Sequence, residues 1–332
     1  MRKGLGFHCV LLCLVFQLSG SIIDDAQAKF FIAYTSDSPA SSVPYWIAKE
    51  AGLLKKHGLD AELIFINGTS RSMASLIAGD LSFAGGAGLA VVTGKLAGAD
   101  IAIINSFANT LNYYVVARPE IGSTEELRGK TAATHVAGTT VDFATRLALN
   151  RMNIPYKEIK AITLGTSATR LAALISRQVD FTVVTDAGKP EAENAGLVVL
   201  MDMAKEKIPY QFTCTVTTRR LIRENPELNR RMVRALAESV HYYKTRKEDV
   251  IKIMRKYTRG QSQEILEGAY AAYVNLIVED TYPTLEGLRS TLAVQAAFNP
   301  RAAKAKPEEF VELRFVDELR KSGFIDQLYG RR

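Results

Sequence analysis

Two stretches of this sequence decide the fold, because they repeat one pattern in two places. Residues 67–86 read NGTSRSMASLIAGDLSFAGG, and residues 164–184 read LGTSATRLAALISRQVDFTVV. At one constant offset, four apolar residues of the first stretch recur unchanged in the second. Each stretch begins with a polar turn, continues with apolar residues at helical spacing and ends in a short apolar run of strand type. The repeated turn, helix and strand predict two lobes of similar α/β topology.

Short strand-like runs alternate with helical patterns over most of the chain. We expect strands at residues 30–34, 61–66, 101–104, 113–117, 131–133, 179–184 and 197–200. Such alternation is typical of βαβ units and predicts a mainly parallel sheet in each lobe, flanked by helices.

A late strand at 213–217 is predicted to return to the first lobe, which makes that lobe discontinuous. The two crossovers, near 113–117 and near 211–217, would then form a two-strand hinge. The chain after residue 217 is expected to be largely helical, because apolar residues recur at helical spacing, as in Leu228, Met232 and Leu236.

Length and composition exclude several classes of protein. At 332 residues the chain is long enough for about two domains. Hydrophobic residues make up 47% and charged residues 23%, which is ordinary globular usage and argues against a disordered chain. Three cysteines are too few for a disulfide scaffold.

The N-terminus has the pattern of a secretory signal. Arg2 and Lys3 precede an apolar run at 4–20, and Ala26-Gln27-Ala28 offers the small-x-small pattern of a cleavage site. We expect residues 1–28 to be a signal peptide that is cleaved after Ala28. An uncleaved anchor stays open as an alternative, although the run is shorter than the roughly 20 residues that span a bilayer.

The signal pattern predicts export to the periplasm of a two-membrane bacterium, and the cysteines argue against a lipid anchor there. Cys9 and Cys13 lack the preceding small residue that a lipoprotein signal requires, so we expect no lipid anchor. After cleavage only Cys214 remains, and the protein can form no internal disulfide and no thiolate metal cluster.

Motifs of catalysis, metal binding and nucleic-acid binding are missing from the sequence. His57, His135 and His241 have no partner at metal-ligand spacing, and no nucleophile elbow or phosphate loop is present. Residues 219–259 hold 13 Lys or Arg against five Asp or Glu, but these alternate with an apolar helical stripe, which favours a solvated helix face. We expect no catalytic residue, no metal, no cofactor and no nucleic-acid partner.

Polar loops follow the predicted strands, at the edge where ligands bind in open α/β sheets. They lie at residues 35–42, where Pro44 is expected to open the next helix, and at 68–70, 84–88, 105–112, 138–140, 165–167 and 185–189. Thr139 and Thr140 could cap a helix and leave its first N–H groups free for a ligand, while ordinary capping is the alternative. Of Tyr45 and Trp46, one is expected to line the crevice and Trp46 to enter the core.

Three stretches resemble the bacterial ABC-transporter substrate-binding proteins for nitrate, sulfonates, taurine and thiamine-precursor pyrimidines. They are SSVPYWIAKEAGLLKKHGLDAELIFINGTSRSMASLIAGDLSFAGG at 41–86, EELRGKTAATHVAGTT at 125–140 and EEFVELRFVDELRKSGFIDQLY at 308–329. The resemblance implies the two-lobed type II periplasmic binding protein fold. Its lobes would comprise residues 29–114 plus 215–332 for the first, with the C-terminal helices, and 115–214 for the second.

The resemblance also implies a function and a set of ligand-binding residues. A periplasmic receptor of this kind captures a small organic or oxyanion solute by lobe closure and delivers it to an inner-membrane ABC permease with its ATPase. We expect it to act as a monomer. The candidate ligand-binding residues lie in the loops above, and Asn109 joins them from the loop at 105–112: Ser36, Ser38, Tyr45, Gly85, Gly86, Asn109, Thr139, Thr140 and Asp186.

One loop departs from the family pattern. Where many members have an aromatic residue followed by an acid and Pro, this chain reads Thr185-Asp186-Ala187-Gly188, so an aromatic wall is missing. Asp186 could bind a ligand N–H or cap the turn.

Two other functions stay open. Eukaryotic relatives are enzymes that make the thiamine pyrimidine, but this chain lacks their cysteine-rich motif. A sensor that docks on a chemoreceptor or kinase would have the same crevice.

Overall fold

The structure is a computed structural model. It describes residues 30–35, 39–66, 69–137, 139–185, 188–258, 261–296 and 299–331, with the side chains of 39–41 left out.

The described residues form ten strands, fourteen α-helices and three short 3-10 helices. The strands are β1 Phe30–Tyr34, β2 Ala61–Phe65, β3 Phe83–Gly86, β4 Ile101–Thr110, β5 Tyr113–Ala117, β6 Thr131–Thr134, β7 Lys160–Thr163, β8 Phe181–Thr185, β9 Val198–Asp202 and β10 Pro209–Thr218. The helices are α1 Pro39–Glu50, α2 Leu53–Lys56, α3 Thr69–Ala78, α4 Gly88–Leu96, α5 Thr140–Arg151, α6 Ser167–Ile175, α7 Lys189–Asn194, α8 Arg219–Glu224, α9 Pro226–Thr245, α10 Lys247–Tyr257, α11 Gln263–Val274, α12 Leu285–Gln295, α13 Arg314–Lys321 and α14 Phe324–Leu328.

The strands form two five-stranded sheets of the same design. The first has the order β2-β1-β3-β10-β4 and the second β7-β6-β8-β5-β9. In the first sheet β10 is antiparallel to both of its neighbours, and in the second β5 is antiparallel to both of its neighbours. The other pairs are parallel, so four strands of each sheet run in one direction. The predicted fold class, with two lobes and mainly parallel sheets, is confirmed.

The chain crosses between the sheets twice. It leaves the first sheet after β4 and enters the second at β5, through residues 111–112, and it returns through residues 203–208 between β9 and β10. The crossings therefore lie just before the strands in which we expected them. The predicted lobe boundaries at 114–115 and 214–215 fall inside β5 and β10, and they stay a prediction.

The C-terminal helices cover the first sheet. The predicted apolar stripe of α9 is buried, and it packs with α1, α10 and α11 in one core cluster that includes Trp46 and Phe83. The second lobe has its own core around Phe143 and Phe181. Within the described ranges no helix is both long and apolar enough to cross a membrane.

One local expectation was wrong, and one strand was missed. Helix α1 begins at Pro39, so Pro44 lies inside the helix and does not open it. A proline at this position removes one hydrogen bond, and the complete burial of Val43, Trp46 and Ile47 holds the helix in place. Strand β7 was not expected, because all four of its residues are exposed and it has no apolar run to reveal it.

Candidate functional site

A pocket of about 690 Å³ lies at the point where the two lobes meet. Thr69, Ser70 and Arg71 from the start of α3 line it together with Leu89 of α4. Thr139 and Thr140, at the start of α5, line it from the second lobe. The pocket therefore joins both lobes at the edge where the predicted loops converge.

Three helices begin at this pocket, and they are ten, nine and twelve residues long. The first N–H groups of a helix have no partner within the helix and carry partial positive charge, which favours anions. Thr139 caps α5 by accepting a hydrogen bond from the Asp142 amide at 3.4 Å, as expected. Ala87 precedes α4 without any capping side chain, so the N-cap residue does not occupy the first amides of α4.

Arg71 is the cation of the pocket. Its side chain is exposed and makes neither an ion pair nor a hydrogen bond within the described part of the chain. No carboxylate lines the pocket among the described residues. Sequence reasoning missed Arg71, although a cation in the first turn of α3 opposes the helix dipole and so could have been noticed. Arg71 and the helix ends together favour an anionic ligand.

One side of the pocket is apolar. Met73 and Ile77 line it from α3, and Ile77 is 51% exposed. Leu89 lines it from α4, but this side chain is almost buried and belongs to the core cluster of the second lobe. The pocket therefore offers a charged group and an apolar surface to the same ligand.

Tyr210 lies behind the pocket, on the strand that follows the second crossing. It is fully buried, and its hydroxyl has no hydrogen-bond partner among the residues the structure describes. The side chain of Thr140 and the backbone amide of Leu89 face this hydroxyl, and burial raises the pKa of Tyr210 above its usual range. Sequence reasoning missed Tyr210, because nothing in the run PYQFT separates it from a core tyrosine.

The predicted glycines lie next to the pocket. Gly85 and Gly86 end β3, immediately before Ala87. A Cβ atom added to Gly86 would lie 3.6 Å from Thr69 Cγ2 and 3.5 Å from Met73 Cε, and both of these residues line the pocket. A Cβ atom added to Gly85 would lie 3.2 Å from Tyr45 Cε2. Glycine lets the strand end pack closely against both neighbours.

Tyr45 and Trp46 are both buried, so the expectation that one of them lines the crevice was wrong. Tyr45 is 2% exposed, and its hydroxyl pairs with Thr215 Oγ1 at 2.8 Å and donates to the Cys214 carbonyl at 3.2 Å. Trp46 is fully buried and stacks on Tyr257. Consecutive helical positions can both be buried here because α1 is covered by the first sheet and by α9 and α10.

Asn109 lies in a hydrogen-bond network beside the hinge. Its side chain accepts from Ser106 Oγ at 2.7 Å and donates to the Tyr282 carbonyl at 2.8 Å. Gln211 Nε2 donates to the same Ser106 oxygen at 2.6 Å, while Gln211 Oε1 accepts from the Thr284 amide at 2.9 Å. The network ties β4, β10 and the segment before α12 together.

Thr139 and Thr140 are the two predicted ligand residues that line the pocket itself. Three others, Ser36, Ser38 and Asp186, lie outside the described residues.

The described residues contain neither a metal-binding cluster nor a reactive thiol. They hold no group of three or more His, Cys, Asp or Glu side chains that could bind a metal ion. Cys214 is 1% exposed, and burial raises the pKa of its thiol above the usual range, so the reactive thiolate does not form at neutral pH. The arrangement is suited to binding a small anion between two lobes.

Comparisons with known proteins agree with this fold. A putative binding protein of Brucella abortus is 29% identical over 263 residues, which cover 76% of this chain and 78% of the relative. The crystal structure of the periplasmic aliphatic sulphonate binding protein SsuA from Escherichia coli is 16% identical, with a TM-score of 0.70, and the match covers 86% of this chain and 92% of SsuA. A putative sulfonate ABC transporter protein, periplasmic sulfonate-binding protein SsuA, from Methylobacillus flagellatus is 17% identical with a TM-score of 0.71, and the match covers 90% and 95% of the two chains.

A family match completes the comparison. Residues 40–249, more than half of the chain, match the family described as NMT1/THI5 like. The chain therefore belongs to the NMT1/THI5-like family and has the two-lobed type II periplasmic binding protein fold.

Proposed function

We propose that the protein is the solute-binding component of an ABC importer and that it captures a small organic anion between its two lobes. The observation that carries the proposal is Arg71, an exposed cation that has no carboxylate partner in the described residues and lies where three helices begin. An acidic group of the solute would bind at Arg71 and the helix ends, while its carbon chain would contact Met73 and Ile77. The names of the sulfonate-binding structural relatives support an acid of this kind.

In this proposal the solute binds by contacts with both lobes, and these contacts form when the lobes close. A solute held between Arg71 of the first lobe and Thr139 and Thr140 of the second interacts with both lobes only when they are closed, so it stabilises the closed conformation. Gly85 and Gly86 would shape the wall beside it. Ser36, Ser38 and Asp186 remain proposed ligand residues, and Asn109 is proposed to support the site from behind.

Export and delivery belong to the same proposal. Residues 1–28 would direct the protein to the periplasm and would be removed there. The loaded monomer would then deliver the solute to an inner-membrane permease with its ATPase. We propose solute capture and not catalysis, since the one cysteine after residue 28 is buried in the first sheet.

A thermal-shift titration of the purified protein tests solute capture. The probes are propane-1-sulfonate, taurine, succinate and nitrate. A ligand at about 100 times its Kd adds roughly 2.7 kcal/mol to the free energy of unfolding, which raises Tm by several degrees. We expect at least one organic anion of the panel to raise Tm, and a flat response to all four would refute capture of such anions.

Arg71→Met tests the site. Loss of a charge-assisted contact of about 1.5–3 kcal/mol weakens binding by roughly 10-fold to 100-fold. Arg289→Met is the matched control, because Arg289 is an exposed arginine of α12 that does not line the pocket. Equal affinities for the two variants would remove Arg71 from the site.

A further inference from the structure

Arg170 is a buried cation in the second lobe. The side chain lies in the first turn of α6 and is 2% exposed. Its guanidinium donates from Nη1 to the Gly165 carbonyl at 2.8 Å and from Nη2 to the Val183 carbonyl at 3.4 Å. Nε has no partner, and no carboxylate pairs with this arginine in the part of the chain that the structure describes.

An unpaired buried charge is costly. Removal of a guanidinium from water costs several kcal/mol unless an opposite charge compensates for it, and carbonyl oxygens supply only part of that compensation. Burial lowers the pKa of Arg170 from its usual value, and Tyr113 acts in the opposite direction. The three described acids of this lobe with the least exposed carboxylates have other partners: Asp142 pairs with Arg146 at 3.0 Å, Asp180 pairs with Arg118, and Asp202 pairs with Lys205 at 3.7 Å.

Two further buried polar atoms lie near this arginine. His135 Nδ1 and Ser167 Oγ each lack a hydrogen-bond partner among the described residues. The pKa of His135 is lowered, first by burial and then by the charge of Arg170, with Asp142 acting in the opposite direction. His135 is therefore neutral at pH 7, and Ser167 begins the helix that carries Arg170.

The three residues converge at the carboxyl edge of the second sheet. His135 follows β6, Ser167 follows β7, and Arg170 reaches the carbonyl of Val183 in β8. Parallel strands bring these ends to one edge, which is also where Thr139 lies. None of the three lines the pocket of Arg71, so a group bound at them would lie outside that pocket.

We infer that His135, Ser167 and Arg170 form a second recognition site for an acidic group, and that the captured solute carries two acidic groups, one for Arg71 and one for this cluster. The inference rests on the proposed function, because it specifies the class of solute that the two lobes capture. A carboxylate or sulfonate oxygen would accept hydrogen bonds from Arg170 Nε and Ser167 Oγ and would neutralise the buried charge. A solute with an acidic group at each end would bind Arg71 in the first lobe and Arg170 in the second, and neither arginine has a carboxylate partner among the described residues.

Two solutes of the same carbon chain length test the inference. Propane-1-sulfonate has one acidic group, and 3-sulfopropanoate carries a carboxylate in place of its terminal methyl group. We expect the protein to bind 3-sulfopropanoate at least tenfold more tightly in isothermal titration calorimetry. If Arg170 recognises the second group, Arg170→Met reduces this ratio to about one and leaves the affinity for propane-1-sulfonate within twofold.

Stability distinguishes recognition from a purely structural role. If the buried charge is unpaired, Arg170→Met leaves Tm unchanged or raises it, whereas a structural role lowers Tm and leaves the ratio unchanged. Arg118→Met is the matched control, because Arg118 is paired with Asp180 in the same lobe; we expect a lower Tm and an unchanged ratio. Ser167→Ala removes one donor and should reduce the ratio without unfolding the protein.

The outcomes separate the two proposals. A wild-type ratio near one, or a ratio that survives Arg170→Met, overturns the second site and leaves solute capture in place. Failure of wild-type protein to bind either sulfonate overturns both the capture of sulfonates and the second site.

Discussion

Replacement of Tyr45 by Phe removes one hydroxyl group and tests the position of α1 against the first sheet. In the structure this hydroxyl pairs with Thr215 Oγ1 at 2.8 Å and donates to the Cys214 carbonyl at 3.2 Å, both on β10. The site is closed to solvent, so no water replaces the lost group. We therefore expect Tyr45→Phe to destabilise the protein while the affinity for a solute stays within twofold.

The size of the effect follows from the groups left without a partner. A buried polar group that loses its hydrogen bond costs about 1–3 kcal/mol. We take about 2 kcal/mol for Tyr45→Phe, since Thr215 Oγ1 loses its partner and the Cys214 carbonyl loses a second one. At roughly 2–4 °C per kcal/mol, Tm falls by roughly 4–8 °C.

Tyr210→Phe is the matched control for this measurement. Tyr210 is equally buried, but its hydroxyl makes no hydrogen bond that meets normal geometry in the described residues, although Thr140 and the Leu89 amide face it. We expect Tyr210→Phe to lose less free energy of unfolding than Tyr45→Phe in urea denaturation. Equal losses for the two variants, or a tenfold loss of affinity in Tyr45→Phe, would refute the assignment of Tyr45 to the core.

Three further changes test other parts of the account. Gly287→Ala should lower the free energy of unfolding by more than about 2 kcal/mol, because the new Cβ would lie 2.6 Å from the Gln211 backbone nitrogen. Gly268→Ala has open space around its new Cβ and should raise the free energy of unfolding by up to about 1 kcal/mol. Urea denaturation measures both changes. Glu50→Gln should lower Tm at pH 7, and the loss should shrink as the pH falls below 4.5. Burial raises the pKa of Glu50, but hydrogen bonds from Lys256 and Tyr257 outweigh burial and lower the pKa from its usual value of 4.5. The stabilisation is therefore present above pH 4.5 and is lost as the pH falls through the lowered pKa. In the chain without residues 1–28, Cys214 should react with a thiol reagent only after unfolding, and fast reaction of the native protein would contradict its burial.

The repeated pattern predicted much of the fold, because burial leaves a strong periodic signal in the sequence. Helix α3 ends at Ala78, and Gly79 follows with a φ of +93°, a conformation that glycine adopts without strain. Strand β7 left no such signal, since all of its residues are exposed at the edge of the second sheet. Strand β10 begins at Pro209, earlier than the predicted start at residue 213. Between these two residues its register against β4 shifts, so this part of the strand has no regular alternation that a sequence pattern could reveal.

The candidate site was predictable only in part. Loops at strand ends can be located from the sequence, and Thr139 and Thr140 are found in the pocket as a result. The burial of a side chain and the identity of its partners depend on tertiary packing, which a single sequence does not contain. For this reason Arg170 and Tyr210 were missed, and the burial of Tyr45 together with Trp46 was not expected.

A crystal structure of the protein with the sulfonate that raises Tm most would show whether a solute binds at Arg71 between the lobes. The account predicts electron density for the sulfonate between the lobes, with its acidic group in contact with Arg71 and near the first amides of α3 and α4. Sulfonate bound elsewhere, or bound with Arg71 directed away from it, would contradict the account.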